Sequence, residues 1–143
     1  MLFRDTGNRL INRRIEEFEE FCESIGGQIT REDIFSSEAE IVCKLYDPIE
    51  FVVDAERGDI TVKGKIPVLG LYHNNAHEID VELRLRGRNQ EVSCENRVDS
   101  AKVLTSFDEQ KTTLELFADT LVLHISDEGE QLTFKNEWEE KVH

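Results

Sequence analysis

The sequence is poor in the residue types that most proteins use to hold phosphate or to enter membranes. Lys and Arg number 17 against 31 Asp and Glu, which gives a formal net charge of −14. Because phosphate affinity rests on clustered basic residues, this balance argues against nucleic-acid binding and against an anionic membrane surface. No apolar run approaches the roughly 20 residues that span a bilayer, and the first residues lack the apolar core of a signal peptide. We therefore expect one domain in the cytoplasm, with no nucleic-acid or membrane partner.

Cysteine is scarce, and its spacing indicates neither a disulfide framework nor a zinc ribbon. Cys22, Cys43 and Cys94 are odd in number, and none belongs to a C-x-x-C pair. Each lies in phase with apolar neighbours, which is typical of a buried free thiol. The sequence therefore predicts three buried free cysteines with no catalytic role.

Motifs for a cofactor or a catalytic centre are also missing. Gly64 and Gly70 stand alone, so no Gly-rich phosphate loop is present. His73 and His77 lie in a segment rich in turn residues, for which a solvated loop is a simpler interpretation than a metal site. Nothing near His124 in the sequence completes a Cys–His or Ser–His pair. We expect no metal site, no cofactor and no enzymatic activity.

Residues 8–25 have the apolar period of an amphipathic helix, and Gly26-Gly27 is typical of a left-handed helix end. Arg residues crowd the start of this helix and Glu residues follow, an order that opposes the helix dipole. Because this charge order destabilises the helix slightly, its apolar face must be buried on its own domain or on another chain to compensate. The residues we assign to that contact, as a candidate oligomer or partner surface, are Ile11, Ile15, Phe18 and Phe21.

After Gly27 the apolar period changes from 3.6 to 2, which predicts β-strands. Residues 39–45 alternate up to a break at Asp47-Pro48, and residues 51–66 predict a strand–turn–strand hairpin. The clearest strand is 79–85, in which apolar and charged residues alternate. Further short strands are predicted at 91–95, 102–107, 112–117 and 121–125, with a final extended piece at Leu132 and Phe134. About seven to nine short strands predict a mainly β fold, an antiparallel sandwich or barrel after the N-terminal helix.

One local segment is positive, Arg84-Leu85-Arg86-Gly87-Arg88. Its charge suits an anion or an acidic partner surface. Pairing of these Arg residues with the acidic excess across neighbouring strands is the simpler interpretation.

The order of these strands is similar to that of a known family. Residues 58–70 are similar to a strand with a Pro-Gly ending, 78–83 to the strand that follows, and 112–125 to a closing hairpin. On these segments, residues 47–125 resemble the α-crystallin domain of small heat-shock proteins. Thr120-Leu121 stands where that family has Asn-Gly, and the segment 95–101 leaves little room for the strand that many members exchange. The related CS-domain sandwich of co-chaperones is therefore the close alternative.

The resemblance implies a helical arm at 1–27, a β-sandwich at 28–126 and an acidic tail at 127–143. It implies an ATP-independent chaperone that binds non-native polypeptides and assembles as a homo-oligomer. The residues that the resemblance assigns to a substrate groove are Ile79, Val81, Leu83, Leu114 and Leu116, and those assigned to tail docking are Leu132 and Phe134.

Two other functions stay open at this point. One is a non-catalytic module that binds a folded partner through the helix or a sheet edge. The other is a small-molecule or metal-binding β-domain that uses the segment from His73 to His77.

Overall fold

One amphipathic helix followed by eight strands makes up the part of the chain that the structure describes. This computed structural model describes residues 9–35, 38–56, 58–69, 76–85, 89–95, 102–105 and 112–137. The elements are α1 (Arg9–Ser24), β1 (Gln28–Ile34), β2 (Glu38–Glu56), β3 (Asp59–Leu69), β4 (Ala76–Leu85), β5 (Asn89–Glu95), β6 (Lys102–Thr105), β7 (Thr112–Ser126) and β8 (Gly129–Lys135). The mainly β fold with an N-terminal amphipathic helix is therefore confirmed.

The strands form one continuous mixed sheet in the order β4-β3-β2-β7-β8-β5-β6, and β1 pairs with β2. All pairs are antiparallel except β5 with β8, which is parallel. The prediction of a purely antiparallel arrangement is therefore wrong at this pair. The physical reason is the connection: the chain leaves β5, forms β6 and β7, and returns as β8 beside β5, and a crossover of that length allows a parallel neighbour.

The long strands β2 and β7 run through positions where the sequence predicts breaks. Asp47-Pro48 lie inside β2, and the register against β7 shifts between Lys44 and Ile49. Residues 45–48 of β2 stand opposite the single residue Asp119 of β7. A bulge of this kind tolerates a proline, because no ladder hydrogen bond is needed from its missing N–H. The predicted strands 112–117 and 121–125 are likewise joined in β7.

The sheet curls around α1. Gln90 of β5 donates from Nε2 to the carbonyl of Gly58, in the turn between β2 and β3, at 2.9 Å. Since β5 and β3 are far apart in the sheet order, this bond requires strong curvature. The apolar face of α1 joins buried residues of β2, β3, β4, β5, β7 and β8 in one core.

The apolar face of α1 is buried by the protein's own sheet. Ile11, Ile15, Phe18 and Phe21 are at most 3% exposed. Of the two alternatives left open by the sequence, a contact with the same domain is therefore the one observed. These four side chains belong to the core rather than to a separate helical arm or a free partner surface.

The helix ends as its glycines predict. Gly26 has a φ of 85°, its N–H donates to the carbonyl of Glu23, and the N–H of Gly27 donates to the carbonyl of Cys22 at 2.8 Å. This is the left-handed cap with crossed hydrogen bonds. A Cβ on Gly27 would lie 2.7 Å from the Sγ of Cys43, so only glycine lets the end of α1 approach β2 this closely.

A disulfide joins α1 to β2. Cys22 and Cys43 are bonded, with 6.0 Å between their Cα atoms, whereas Cys94 forms no disulfide and is buried. The prediction of a buried free thiol is confirmed for Cys94 and wrong for the other two. Cys22 lies on the apolar face of α1 and Cys43 on the buried face of β2, so both sulfurs point into the same core. The spacing of the two residues along the chain does not reveal this contact.

Part of the predicted tail, 127–143, is a core strand. β8 completes a hairpin with β7, and both Leu132 and Phe134 are 0% exposed. The ring centroid of Phe134 lies 5.0 Å from that of Phe51 in β2. The two residues predicted to dock on a neighbouring subunit therefore pack inside their own domain, because hairpin pairing with β7 turns them inward. After β8, Glu137 pairs with Lys44 at 2.9 Å, and this hydrogen bond raises the pKa of the lysine.

Reducing the Cys22–Cys43 disulfide is expected to lower the free energy of unfolding by about 3 kcal/mol, because the unfolded chain regains the entropy of an open loop. Chemical denaturation with and without reductant measures the effect. The Cys22→Ala/Cys43→Ala variant is the control, since reductant should leave its stability unchanged.

A thiol count is a direct check of the same bond. The denatured, unreduced chain should present one reactive thiol, that of Cys94. Three reactive thiols in protein purified without reductant would contradict the disulfide, and would fit the reducing cytosol, where structural disulfides are rare.

Candidate functional site

β4 is an edge strand with a polar and an apolar side. It pairs with β3 along its whole length, and no strand within the described residues pairs with its other edge. Asp80, Glu82 and Arg84 are exposed, whereas Leu83 and Leu85 are buried in the core. An unpaired edge presents a row of backbone N–H and C=O groups to which another strand can bind.

The side chain of Arg14 fixes one end of this edge. Its Nη2 donates to the carbonyl of Arg84 at 2.7 Å and to Oε2 of Glu130 at 3.0 Å. Its Nε bonds the other oxygen of Glu130, and Nη1 pairs with Glu17. Arg14 and Glu130 are each 2% exposed. One guanidinium therefore joins α1, β4 and β8 out of contact with water.

Sequence reasoning missed the role of Arg14, which it treated as one of several unfavourable charges at the start of the helix. The position of Arg14 in the apolar repeat of the helix could have revealed this role. Ile11, Arg14, Phe18, Phe21 and Ile25 follow at alternating steps of three and four residues, which places the arginine on the apolar face. A cation at such a position requires a buried partner, and Glu130 provides it.

The bond to Arg84 indicates which backbone groups of β4 are free. Because Arg14 reaches the Arg84 carbonyl from α1, this residue directs its backbone groups away from β3. In an antiparallel ladder the direction of these groups alternates from one residue to the next. Glu82 and Asp80 therefore also direct their N–H and C=O groups to the open edge. The end at Arg84 is closed by Arg14, whereas no strand of the described part of the chain pairs with the edge at Glu82 and Asp80.

A groove of about 450 Å³ lies between α1 and this edge. Its lining residues are Glu17, Glu20, Phe21 and Ser24 of α1 and Val81, Glu82, Leu83 and Arg84 of β4. The four residues of β4 are consecutive, and alternate ones point to opposite faces. The wall on this side is therefore the edge of the strand rather than one of its faces.

The groove combines an apolar floor with a charged rim. Phe21 and Leu83 are buried, and Val81 is half-buried. Glu20 and Glu82 are exposed on the two opposite walls. Such a site can cover the apolar part of a ligand while its carboxylates meet polar or positive groups.

A second cleft, of about 520 Å³, lies at the turn between β7 and β8. His124 lines it, and its Nε2 lies 3.3 Å from Oε2 of Glu38. Glu38 is exposed and His124 is half-buried, and no cluster of three possible metal ligands occurs in the described ranges. Its described lining residues are polar or charged apart from Gly129, so the cleft offers no apolar side chain to a ligand.

The residues that the resemblance assigns to one groove lie at two separate places in the structure. Val81 and Leu83 line the groove at β4, whereas Leu114 and Leu116 lie on β7 beyond β3 and β2. At the usual strand spacing the two pairs are about 14 Å apart across the sheet. The side chain of Ile79 falls outside the described residues, as do those of His77, Arg86 and Arg88 and the whole of His73.

The chain matches no protein-family model, no curated protein and no solved structure. Within the ranges that the structure covers, no helix has both the length and the apolar character needed to cross a membrane. The likeness to the α-crystallin and CS domains therefore stays a prediction from the sequence.

Replacing Glu130 with Gln is expected to lower the free energy of unfolding by about 3 kcal/mol, because the Arg14 cation stays buried and loses its buried counter-charge, keeping only the half-buried Glu17. Urea denaturation of the variant measures the loss. Glu128→Gln is the matched control at an exposed position of the adjacent turn, and its expected effect is within about 0.5 kcal/mol. Equal effects of the two substitutions would contradict the structural role of the pair.

Proposed function

We propose that the protein is a non-catalytic polypeptide-binding module that holds an extended segment of another chain by adding it as a strand to β4. The observation that supports this is the open edge of β4 facing a groove with an apolar floor. Backbone hydrogen bonds to such an edge provide affinity for any extended chain, and side-chain pockets beside it provide selectivity.

The added segment would be limited in register. Arg14 occupies the carbonyl of Arg84, so the ladder with the partner would begin at Glu82 and continue through Asp80. Side chains of the partner that point to the core side would contact Phe21, Val81 and Leu83. The same bond that supports the fold would therefore set one end of the binding site.

A second candidate is the small heat-shock type of chaperone, an α-crystallin-like sandwich that binds many non-native polypeptides and assembles as an oligomer. The exposed aromatic residues favour it: Phe35, Tyr46 and Phe117 are 62%, 94% and 61% exposed. Large exposed apolar side chains offer contacts to unfolded chains of varied sequence. Suppression of aggregation of a heated client, together with large exchanging oligomers in light scattering, would favour this candidate over a selective module.

Asp80→Pro is expected to weaken peptide binding at least about tenfold while leaving the fold intact, because the substitution removes an N–H at the open edge and no hydrogen bond to β3. Fluorescence anisotropy measures binding of short peptides in which valine alternates with lysine, glutamine or glutamate. Asp80→Ala, which keeps the N–H, is the matched control and should bind like the unmodified protein.

Two results would count against the proposal. One is that none of the three peptides binds the unmodified protein. The other is that Asp80→Pro and Asp80→Ala bind equally well, which would place any bound peptide away from the β4 edge.

A further inference from the structure

The described residues that line the groove between α1 and β4 carry more negative than positive charge. We infer that the segment it takes is basic: an extended stretch of another protein in which Lys or Arg alternates with apolar residues, added to the open edge of β4. This inference rests on the proposed function and names the class of partner.

Charge complementarity identifies the occupant. Among the described residues that line the groove are three carboxylates, Glu17 and Glu20 from α1 and Glu82 from β4, beside the cation Arg84. Glu17 is paired with Arg14, so Glu20 and Glu82 carry the negative charge that a partner can meet. The carboxylates stand on both walls, so a segment lying between the walls meets negative charge on either side. Opposite charges at such positions select a partner and reject one of like charge.

The apolar floor matches the apolar residues of such a segment. Phe21 and Leu83 are buried at the base of the groove, and Val81 is half-buried. The apolar side chains of an added strand can lie on this surface while the alternate Lys or Arg side chains reach the carboxylates at the rim. Attraction between charges is also stronger beside a low-dielectric surface than in open water.

The charge pattern of α1 supports the same occupant. Glu16 and Glu20, and likewise Glu19 and Glu23, lie four residues apart on the helix and repel each other. A bound cation beside Glu20 reduces its repulsion with Glu16, so filling the groove relieves part of this unfavourable charge pattern. The exposed Glu16 and Glu23 lie outside the groove and add to the field that draws a basic segment toward it.

The position of Arg84 restricts the charge that the partner segment can carry at one end. Among the described residues that line the groove it is the one positive side chain, and it stands at the end that Arg14 closes. A basic residue of the partner is unfavourable at that end. The geometry therefore predicts a partner whose positive residues lie opposite Glu82 and Glu20 and whose terminal contact residue is neutral or acidic.

Binding of the three alternating peptides, with lysine, glutamine or glutamate between the valines, tests the inference by fluorescence anisotropy. The lysine peptide should bind tightest, and its affinity should fall as salt is raised. Glu20→Gln/Glu82→Gln should weaken it by roughly tenfold. Glu16→Gln/Glu23→Gln removes the same number of exposed charges from outside the groove and should change the affinity by less than about threefold.

A charge reversal separates loss of the site from loss of the fold. Glu20→Lys/Glu82→Lys should bind the glutamate peptide more tightly than the lysine peptide. A misfolded variant cannot acquire this reversed preference, so the outcome supports the assignment of the groove independently of stability.

Several outcomes would overturn the inference. Equal affinity of the unmodified protein for all three peptides would remove the charge selectivity and leave the proposed function standing. Equal loss in the two Gln double variants would assign the attraction to the acidic surface in general. Self-association abolished by Glu20→Gln/Glu82→Gln would make a second copy of the chain the occupant, and binding of none of the peptides would overturn the proposed function as well.

Discussion

The buried contact between Arg14 and Glu130 is the interaction on which the arrangement of this fold depends. β4 and β8 are separated in the sheet order by three strands, yet both touch the same guanidinium. An ion pair removed from water stabilises a protein only when its geometry recovers the cost of desolvation, and here the guanidinium also binds a backbone carbonyl and Glu17. The pair therefore favours one degree of curvature of the sheet and one position of the helix within it.

Features with a local physical cause could be predicted from the sequence. The helix is set by a repeating apolar face and a glycine cap at Gly26, and the hairpin of β2 and β3 by an alternating pattern around Gly58. The break expected at Asp47-Pro48 did not follow, because the extra residues there form a bulge inside a strand held by neighbours on both sides. Local residues such as Asp-Pro indicate where a chain can turn. Pairing with distant strands decides whether the strand ends there or continues.

The candidate site combines residues that no local pattern connects. The resemblance assigns Val81 and Leu83 to a groove, but the opposite wall is the helix, whose contact the sequence leaves open between its own domain and another chain. Arg14 and Glu130 are 116 residues apart in the chain, and the meeting of Cys22 with Cys43 depends on how α1 lies on β2. These contacts follow from the curl of the sheet, a property of the whole chain.

The disulfide also determines how the protein responds to being cut. The bond closes a loop that contains the end of α1, both helix-capping glycines and all of β1. A single peptide-bond cleavage between residues 22 and 43 would leave the two fragments covalently joined, with α1 still attached to the sheet that covers it. A single cut in the connection between the helix and the first strands would therefore leave α1 covalently attached beside β4.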